Sequence, residues 1–366
     1  MKICYINPTF LIRRPIAELI DRLGDTEDVA IFVPKKPFSK VDDSWHNNKS
    51  LKKAKVYSYS AVDVPGNFEW PIPVSIYFFV YLFRIFREYE VVHMWTYFYI
   101  NSFFACLFRL VFRKTRLVMS ADTFPGYSFD PGKITFAFKI YSCVFQKLLF
   151  FVPDRIHLYG ESLKRPARRL AIPPGKIHVI PTGINLERFS QARKRSRAKI
   201  GVPQKAFVLI YAGLLVPRKG IDTMLEVMKR VDSNVHLLLV GDGPNAEEYK
   251  RQAGNVTFLG WRKDIPELLK MADAVFLPSR GEGLPGIVME GMAAGLPVVA
   301  SDIPCTSDLV SKETGYLCDS TECYIKAINS LAEDPSLAKR LGTRGFEKIQ
   351  NYDWEKLIPE YMRLYS

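Results

Sequence analysis

The chain has 366 residues, 48% of them hydrophobic and 24% charged, which is long for a single core and too apolar for a disordered segment. Its net charge of +13 favours anionic partners, but no helix-turn-helix, zinc-finger or RNP-type pattern is present, so nucleic acid is not expected among them. Six cysteines, at 4, 106, 143, 305, 318 and 323, form no Cys-x-x-Cys and no Cys/His cluster, which argues against a zinc site and for reduced thiols in the cytosol.

Met1-Lys-Ile-Cys-Tyr-Ile-Asn-Pro reads as a first strand entering a loop rather than as a signal peptide. Apolar runs near 2–6, 29–33, 90–94, 116–120, 155–159 and 176–180 predict strands, and stretches near 15–23, 74–87, 97–112, 133–149 and 161–171 predict the helices between them. Arg84, Arg87, Arg109, Lys139 and Lys147 interrupt every run that approaches membrane-spanning length. Residues 74–87 are nonetheless apolar nearly all the way round, more than a helix on the outside of a sheet requires. Of the chain's 48 aromatic residues, 26 fall between Phe68 and Phe151. Residues 1–185 hold 26 Lys/Arg against 15 Asp/Glu, a net of +11, while residues 186–366 hold 25 against 23, a net of +2. Trp70, Tyr77, Tyr81, Trp95, Tyr97 and Tyr99 suit the headgroup level of a bilayer, and the basic excess suits an anionic membrane surface. A large aromatic core with a solvated basic rim is the alternative.

The polar stretch Gln191–Lys199 places a hinge at about 183–203 and divides the chain into units of 1–185 and 186–350. The second unit again alternates, with strands near 206–212, 235–240, 256–259, 273–277, 297–300 and 314–317, so both units are α/β. Tyr211-Ala-Gly-Leu-Leu-Val-Pro-Arg-Lys-Gly220 runs from a strand through a loop into a helix, and its Arg218 and Lys219 suit a phosphate. Pro278-Ser-Arg-Gly-Glu-Gly-Leu-Pro-Gly286 is a glycine-rich loop between a strand and a helix. Its glycines admit close backbone approach, and a helix N-terminus favours an anion. Glu290 follows within an otherwise apolar helix, where a carboxylate is costly unless donors such as ribose hydroxyls bind it. Phosphate and sugar at that separation point to a nucleotide.

The whole string from Pro278 to Ser301, with Glu282 and Glu290 eight apart, closely resembles the Glu-x7-Glu signature of the retaining nucleotide-sugar glycosyltransferases of family four, which have the GT-B fold. The resemblance implies two Rossmann-like doubly wound domains facing a central cleft, with residues 351–366 crossing back as a helix onto the first. It implies that Glu282 faces the donor sugar and that Gly283, Leu284 and Gly286 donate N–H bonds to phosphate and sugar. Arg218 and Lys219 match the family's diphosphate clamp, with Gly213 as its glycine and Leu214 where an Arg is common. Phe258 and Leu259 become candidates for the base pocket. His93 matches a histidine common at that strand end, where a hydrogen-bonded core residue is the alternative.

Two departures stand out. Relatives often carry Gly-Gly after the first strand, where this chain has Arg13 and Arg14; a phosphate on the acceptor would suit them, or the loop is shifted and they are merely exposed. Relatives also show a His-Asp pair where this chain has Ala121 and Asp122. The resemblance implies a glycosyltransferase without cofactor or metal, the donor's own phosphate acting as base. The donor would be a nucleotide sugar and the acceptor lipid-linked or another membrane-held glycan, met from the cytoplasm on the membrane's inner face. A sugar-nucleotide epimerase or hydrolase, and a non-catalytic nucleotide-sugar binder, are the other readings.

Overall fold

Runs such as Ala274–Leu277 lack polar interruption because they form strands covered on both faces. The computed structural model describes residues 1–41, 53–63, 70–124, 133–193, 196–252 and 254–366, which build two sheets. The first contains β1 (Lys2–Ile6), β2 (Asp28–Lys35), β3 (Lys55–Asp63), β4 (Pro71–Pro73), β5 (Val91–Met94), β6 (Arg116–Ala121), β7 (Arg155–Leu158) and β8 (Ile177–Val179). Their order is β4-β3-β2-β1-β5-β6-β7-β8, parallel except for β4, which pairs antiparallel with β3. Two prolines in β4 are tolerated because it is an edge strand.

The second sheet contains β9 (Phe207–Ala212), β10 (Val235–Val240), β11 (Val256–Gly260), β12 (Ala274–Leu277), β13 (Val298–Ser301) and β14 (Gly315–Cys318). Its order, β11-β10-β9-β12-β13-β14, reverses direction between β9 and β12. Ligands bind such sheets at the carboxyl ends of the strands flanking the reversal. The corresponding reversal in the first sheet lies at β1, between β2 and β5.

The helix Trp354–Tyr365 packs into the first core, with Trp354, Tyr361 and Tyr365 fully buried there. Trp354 donates its indole N–H to Glu18 Oε2 at 2.5 Å. A Cβ on Gly183 would fall 2.2 Å from the Trp354 ring, which explains the glycine in the connecting segment. Arg197, read as part of a charged linker, is an anchor instead: it donates to Met271 O, Ala206 O and Asp273 Oδ2. Residues 194 and 195 of that stretch lie outside the described residues.

Three expectations change. Strand β3 was not foreseen: Tyr57, Tyr59 and Ala61 alternate inward between Ser58 and Ser60. Trp95, Tyr97 and Tyr99 are core residues rather than headgroup-level aromatics, Tyr97 packing on Phe98, Phe124 and Phe150. The thiols are not all free, because Cys318 and Cys323 are joined in a disulfide, with Cα atoms 5.4 Å apart, within bridging range.

Candidate active site

The donor-side wall begins where β9 ends. Gly220, at φ +70°, closes the turn Pro217–Lys219, and a Cβ there would lie 2.0 Å from Pro278 O. The turn therefore rests on the loop after β12 and brings Lys219 to Glu282. The Lys219 ammonium lies 2.7 and 2.6 Å from the two Glu282 carboxylate oxygens, both side chains being largely buried. Burial lowers the Lys219 pKa, and the charge of Glu282 opposes that shift. Arg218, expected to clamp a diphosphate, turns the other way: its Nη1 donates to Gly281 O at 2.5 Å, and Ser279 Oγ and Arg280 N donate to Arg218 O. It braces the glycine-rich loop and is not among the cleft-lining residues.

Pro285 caps the helix Gly286–Ala293, and its carbonyl accepts from Val288 and Met289. The N–H groups ahead of those have no intrahelical acceptor, the arrangement that suits an anion. Gly291 lets this helix lie against β12, since a Cβ would meet Val275 Cγ2 at 2.1 Å. Burial pushes the Glu290 carboxyl up from the ordinary glutamate range, and Arg14 and Arg188 oppose it.

The facing wall comes from loops after β1, β5 and β6. Asn7 shapes the first: its Nδ2 donates to Thr9 O and Leu11 O, and its Oδ1 accepts from Arg13 N. Arg13 Nη1 then lies 3.4 Å from Asp122 Oδ2, and Thr96 Oγ1 donates to Asp122 Oδ1 at 3.2 Å. A Cβ on Gly283 would come 3.2 Å from Asp122 O, so the two walls meet at that point. Arg14 crosses between them, its Nη1 2.6 Å from Glu290 Oε1. The enclosed cleft has a volume of about 900 Å³ and includes Arg13, Arg14, Asp122, Gly213, Lys219, Glu282, Gly283, Leu284, Gly286 and Glu290.

His93 is not brought to the cleft. It is fully buried, Nδ1 2.8 Å from Tyr365 Oη and Nε2 2.8 Å from Ser120 Oγ, while Ser120 Oγ lies 2.8 Å from His157 Nδ1. His157 Nε2 meets Ile180 O at 2.7 Å; a carbonyl only accepts, which fixes the donor direction along the chain. Burial lowers the pKa of both imidazoles, that of His157 to about 4, so both are neutral near pH 7. Phe258 and Leu259 are also away from the cleft, half-buried in β11 against the second core; the residues just after them, Trp261, Arg262 and Lys263, line it instead. An aromatic and two cations following Gly260 were the available signal.

Residues 192–348 match the sequence profile of the glycosyl transferases group 1, and residues 16–188 that of glycosyltransferase family 4. The UDP-Gal:alpha-D-GlcNAc-diphosphoundecaprenol alpha-1,3-galactosyltransferase of Escherichia coli is 29% identical over 273 residues, covering 69% of this chain and 68% of that one. An uncharacterized glycosyltransferase of Methanocaldococcus jannaschii is 25% identical over 375 residues, 96% of this chain and 93% of its own. Among solved structures, Anabaena HepE in complex with UDP and glucose superposes with a TM-score of 0.77 at 18% identity, over 99% of this chain and 98% of that one. Sucrose-phosphate synthase from Thermosynechococcus elongatus gives 0.76 at 19% identity, over 100% and 98%. Two parallel α/β sheets with facing carboxyl ends, joined to these matches, show that the chain belongs to the family-four glycosyltransferases and has the GT-B fold.

Proposed function

We propose that this chain is a retaining, metal-independent glycosyltransferase that moves a sugar from a nucleotide-sugar donor to a lipid-linked or otherwise membrane-held acceptor on the cytoplasmic face of the membrane. One arrangement carries the reading. Lys219 and Glu282 form a pair beside the open N-terminus of the helix Gly286–Ala293, and Asp122 faces them across the cleft. The helix end and Lys219 meet charge that develops on the departing diphosphate. Glu282 has both oxygens engaged by Lys219, so it suits orienting the donor sugar rather than attacking it. The donor's phosphate is then the base for the acceptor hydroxyl, with Asp122 positioning that hydroxyl. The buried imidazole of His93 takes no part in this scheme.

The acceptor assignment draws support from the Escherichia coli relative, whose name specifies a diphosphoundecaprenol-linked acceptor. The membrane assignment draws support from the surface. Val74, Ile76, Tyr77, Val80 and Phe83 are exposed on or just before the helix Tyr77–Glu88. Leu110 and Val111 are exposed on the neighbouring helix Ile100–Val111, and Ile140 and Val144 on Lys133–Phe151 beyond it. Contiguous apolar surface on packed helices marks an interaction face. Among the described residues no helix is long and apolar enough to cross a membrane.

The test is nucleoside diphosphate release from a panel of nucleotide sugars, with and without membrane extract, followed by the anomeric configuration of the product. Extract-dependent release with retained configuration is expected. Equal release without extract would make the chain a hydrolase, binding without release a non-catalytic protein, and an inverted product would overturn the retaining assignment.

A further inference from the structure

Of the two donor-side cations that the sequence assigns to the diphosphate, only Lys219 lines the cleft, and it meets the site already paired with a carboxylate. Arg218 Nη1 donates to Gly281 O, and the Lys219 ammonium is shared between both Glu282 carboxylate oxygens. The cleft does hold another cation at the cradle, and it comes from the opposite half of the molecule. Arg14 is the first residue of the helix Arg14–Leu23, fixed at the mouth of the loop that Asn7 shapes. Its Nη1 is 2.6 Å from Glu290 Oε1, and a Cβ on Gly286 would lie 3.6 Å from its Nη2. One edge of the guanidinium is therefore held by Glu290. The other faces the first residue of the helix whose N–H groups await an anion.

We propose that Arg14 is a donor-phosphate residue supplied across the cleft by the acceptor-side half, with Glu290 as its positioning partner. This rests on the reading of the cleft as a nucleotide-sugar site. Guanidinium is suited to the task because its planar fork can hold a carboxylate on one edge and a phosphate oxygen on another. Among the described residues, Glu290 Oε2 has no partner, which leaves it for a ribose hydroxyl while Oε1 keeps Arg14 in place. Arg13, committed to Asp122, is left to the acceptor side.

Calorimetric titration of the full chain with UDP, GDP, ADP and dTDP, and with the matching nucleosides, tests the assignment. For the nucleotide that binds, Arg14→Ala should weaken the diphosphate about ten- to a hundredfold, as expected for a lost charged hydrogen bond, and leave the nucleoside within about twofold. Arg14→Lys, which keeps the charge and loses the fork, should fall between, with a single cooperative thermal transition in both variants showing that the fold is intact. Unchanged diphosphate affinity in Arg14→Ala would overturn the inference and return Arg14 to the acceptor. Tighter binding would overturn it too, making Arg14 a latch that competes with ribose for Glu290. If the unaltered chain binds none of the four diphosphates, the nucleotide-sugar reading itself fails and the inference with it.

Discussion

Lys219 and Glu282 share one ion pair through both carboxylate oxygens, at 2.7 and 2.6 Å, with Glu282 only 5% exposed. Removing one partner of so buried a pair leaves an unpaired charge and costs about 3–5 kcal/mol of stability. Lys219→Ala should therefore unfold at a clearly lower denaturant concentration and lose turnover. Lys219→Met combined with Glu282→Gln removes both charges, so it should recover much of the stability without recovering activity. Recovery of turnover in the double variant would show the pair to be scaffolding alone. Because burial holds the Lys219 pKa below its ordinary 10.5, the alkaline limb of the rate profile should also fall at lower pH than a free lysine would give.

Positive potential at the diphosphate is supplied by Lys219 and by the N-terminus of the helix Gly286–Ala293. A divalent cation would duplicate that role. Turnover should survive EDTA within about twofold of the untreated rate. Abolition by EDTA, with restoration by manganese or magnesium, would overturn the metal-independent assignment.

The buried relay from Tyr365 through His93 and Ser120 to His157 ties the last helix to the first sheet. Burial holds the folded pKa of His157 near 4 and that of His93 well below 6.5, whereas the unfolded chain binds protons at about 6.5. Between those values the unfolded state binds more protons, so stability is full above pH 6.5 and falls as pH drops toward 4. Denaturation midpoints should decline across that window. His157→Gln should flatten the decline at a lower overall stability. An unchanged slope in that variant would assign the acid sensitivity elsewhere.

Much of this was legible where one local pattern decided the outcome. Strand β12 is a continuous Ala-Val-Phe-Leu run, and Gly283 to Glu290 announced a loop and a helix carrying a carboxylate. Strand β3 was missed because serines alternate with its tyrosines, and the polar half of the pattern masks the buried half. Trp95, Tyr97 and Tyr99 were misread because composition says that aromatics are present and not which way they face. Arg14 and Glu290 are 276 residues apart, and no spacing rule connects a loop of one domain with a helix of the other. Arg218 was matched to a diphosphate clamp by its motif, and the motif does not show that its Nη1 also meets Gly281 O, a contact set by the tertiary fold.

Vesicle binding puts the membrane reading to its sharpest test. Arg109, in sequence a natural candidate for the basic rim, is held bidentately by Asp154 at 2.8 and 2.7 Å, so reversing it would damage the fold. Arg113 and Lys114 are exposed just past the helix that carries Leu110 and Val111, and they are the better choice. Each well-placed cation contributes about 1 kcal/mol at an anionic surface, and inserted apolar side chains add to it. The full chain should therefore pellet with vesicles of phosphatidylglycerol and phosphatidylcholine more than with phosphatidylcholine alone. Salt should weaken this, since the Debye length shrinks from about 10 Å at 0.1 M to about 3 Å at 1 M. Arg113→Glu with Lys114→Glu should remove the preference for anionic lipid. Val80→Asp with Phe83→Asp should reduce pelleting with both lipids, because those side chains are among the exposed apolar ones that can insert. Both variants should keep nucleotide affinity, since none of the four positions lines the cleft. Negligible pelleting of the unaltered chain with either lipid would leave the exposed apolar face to a protein partner and move the acceptor off the membrane.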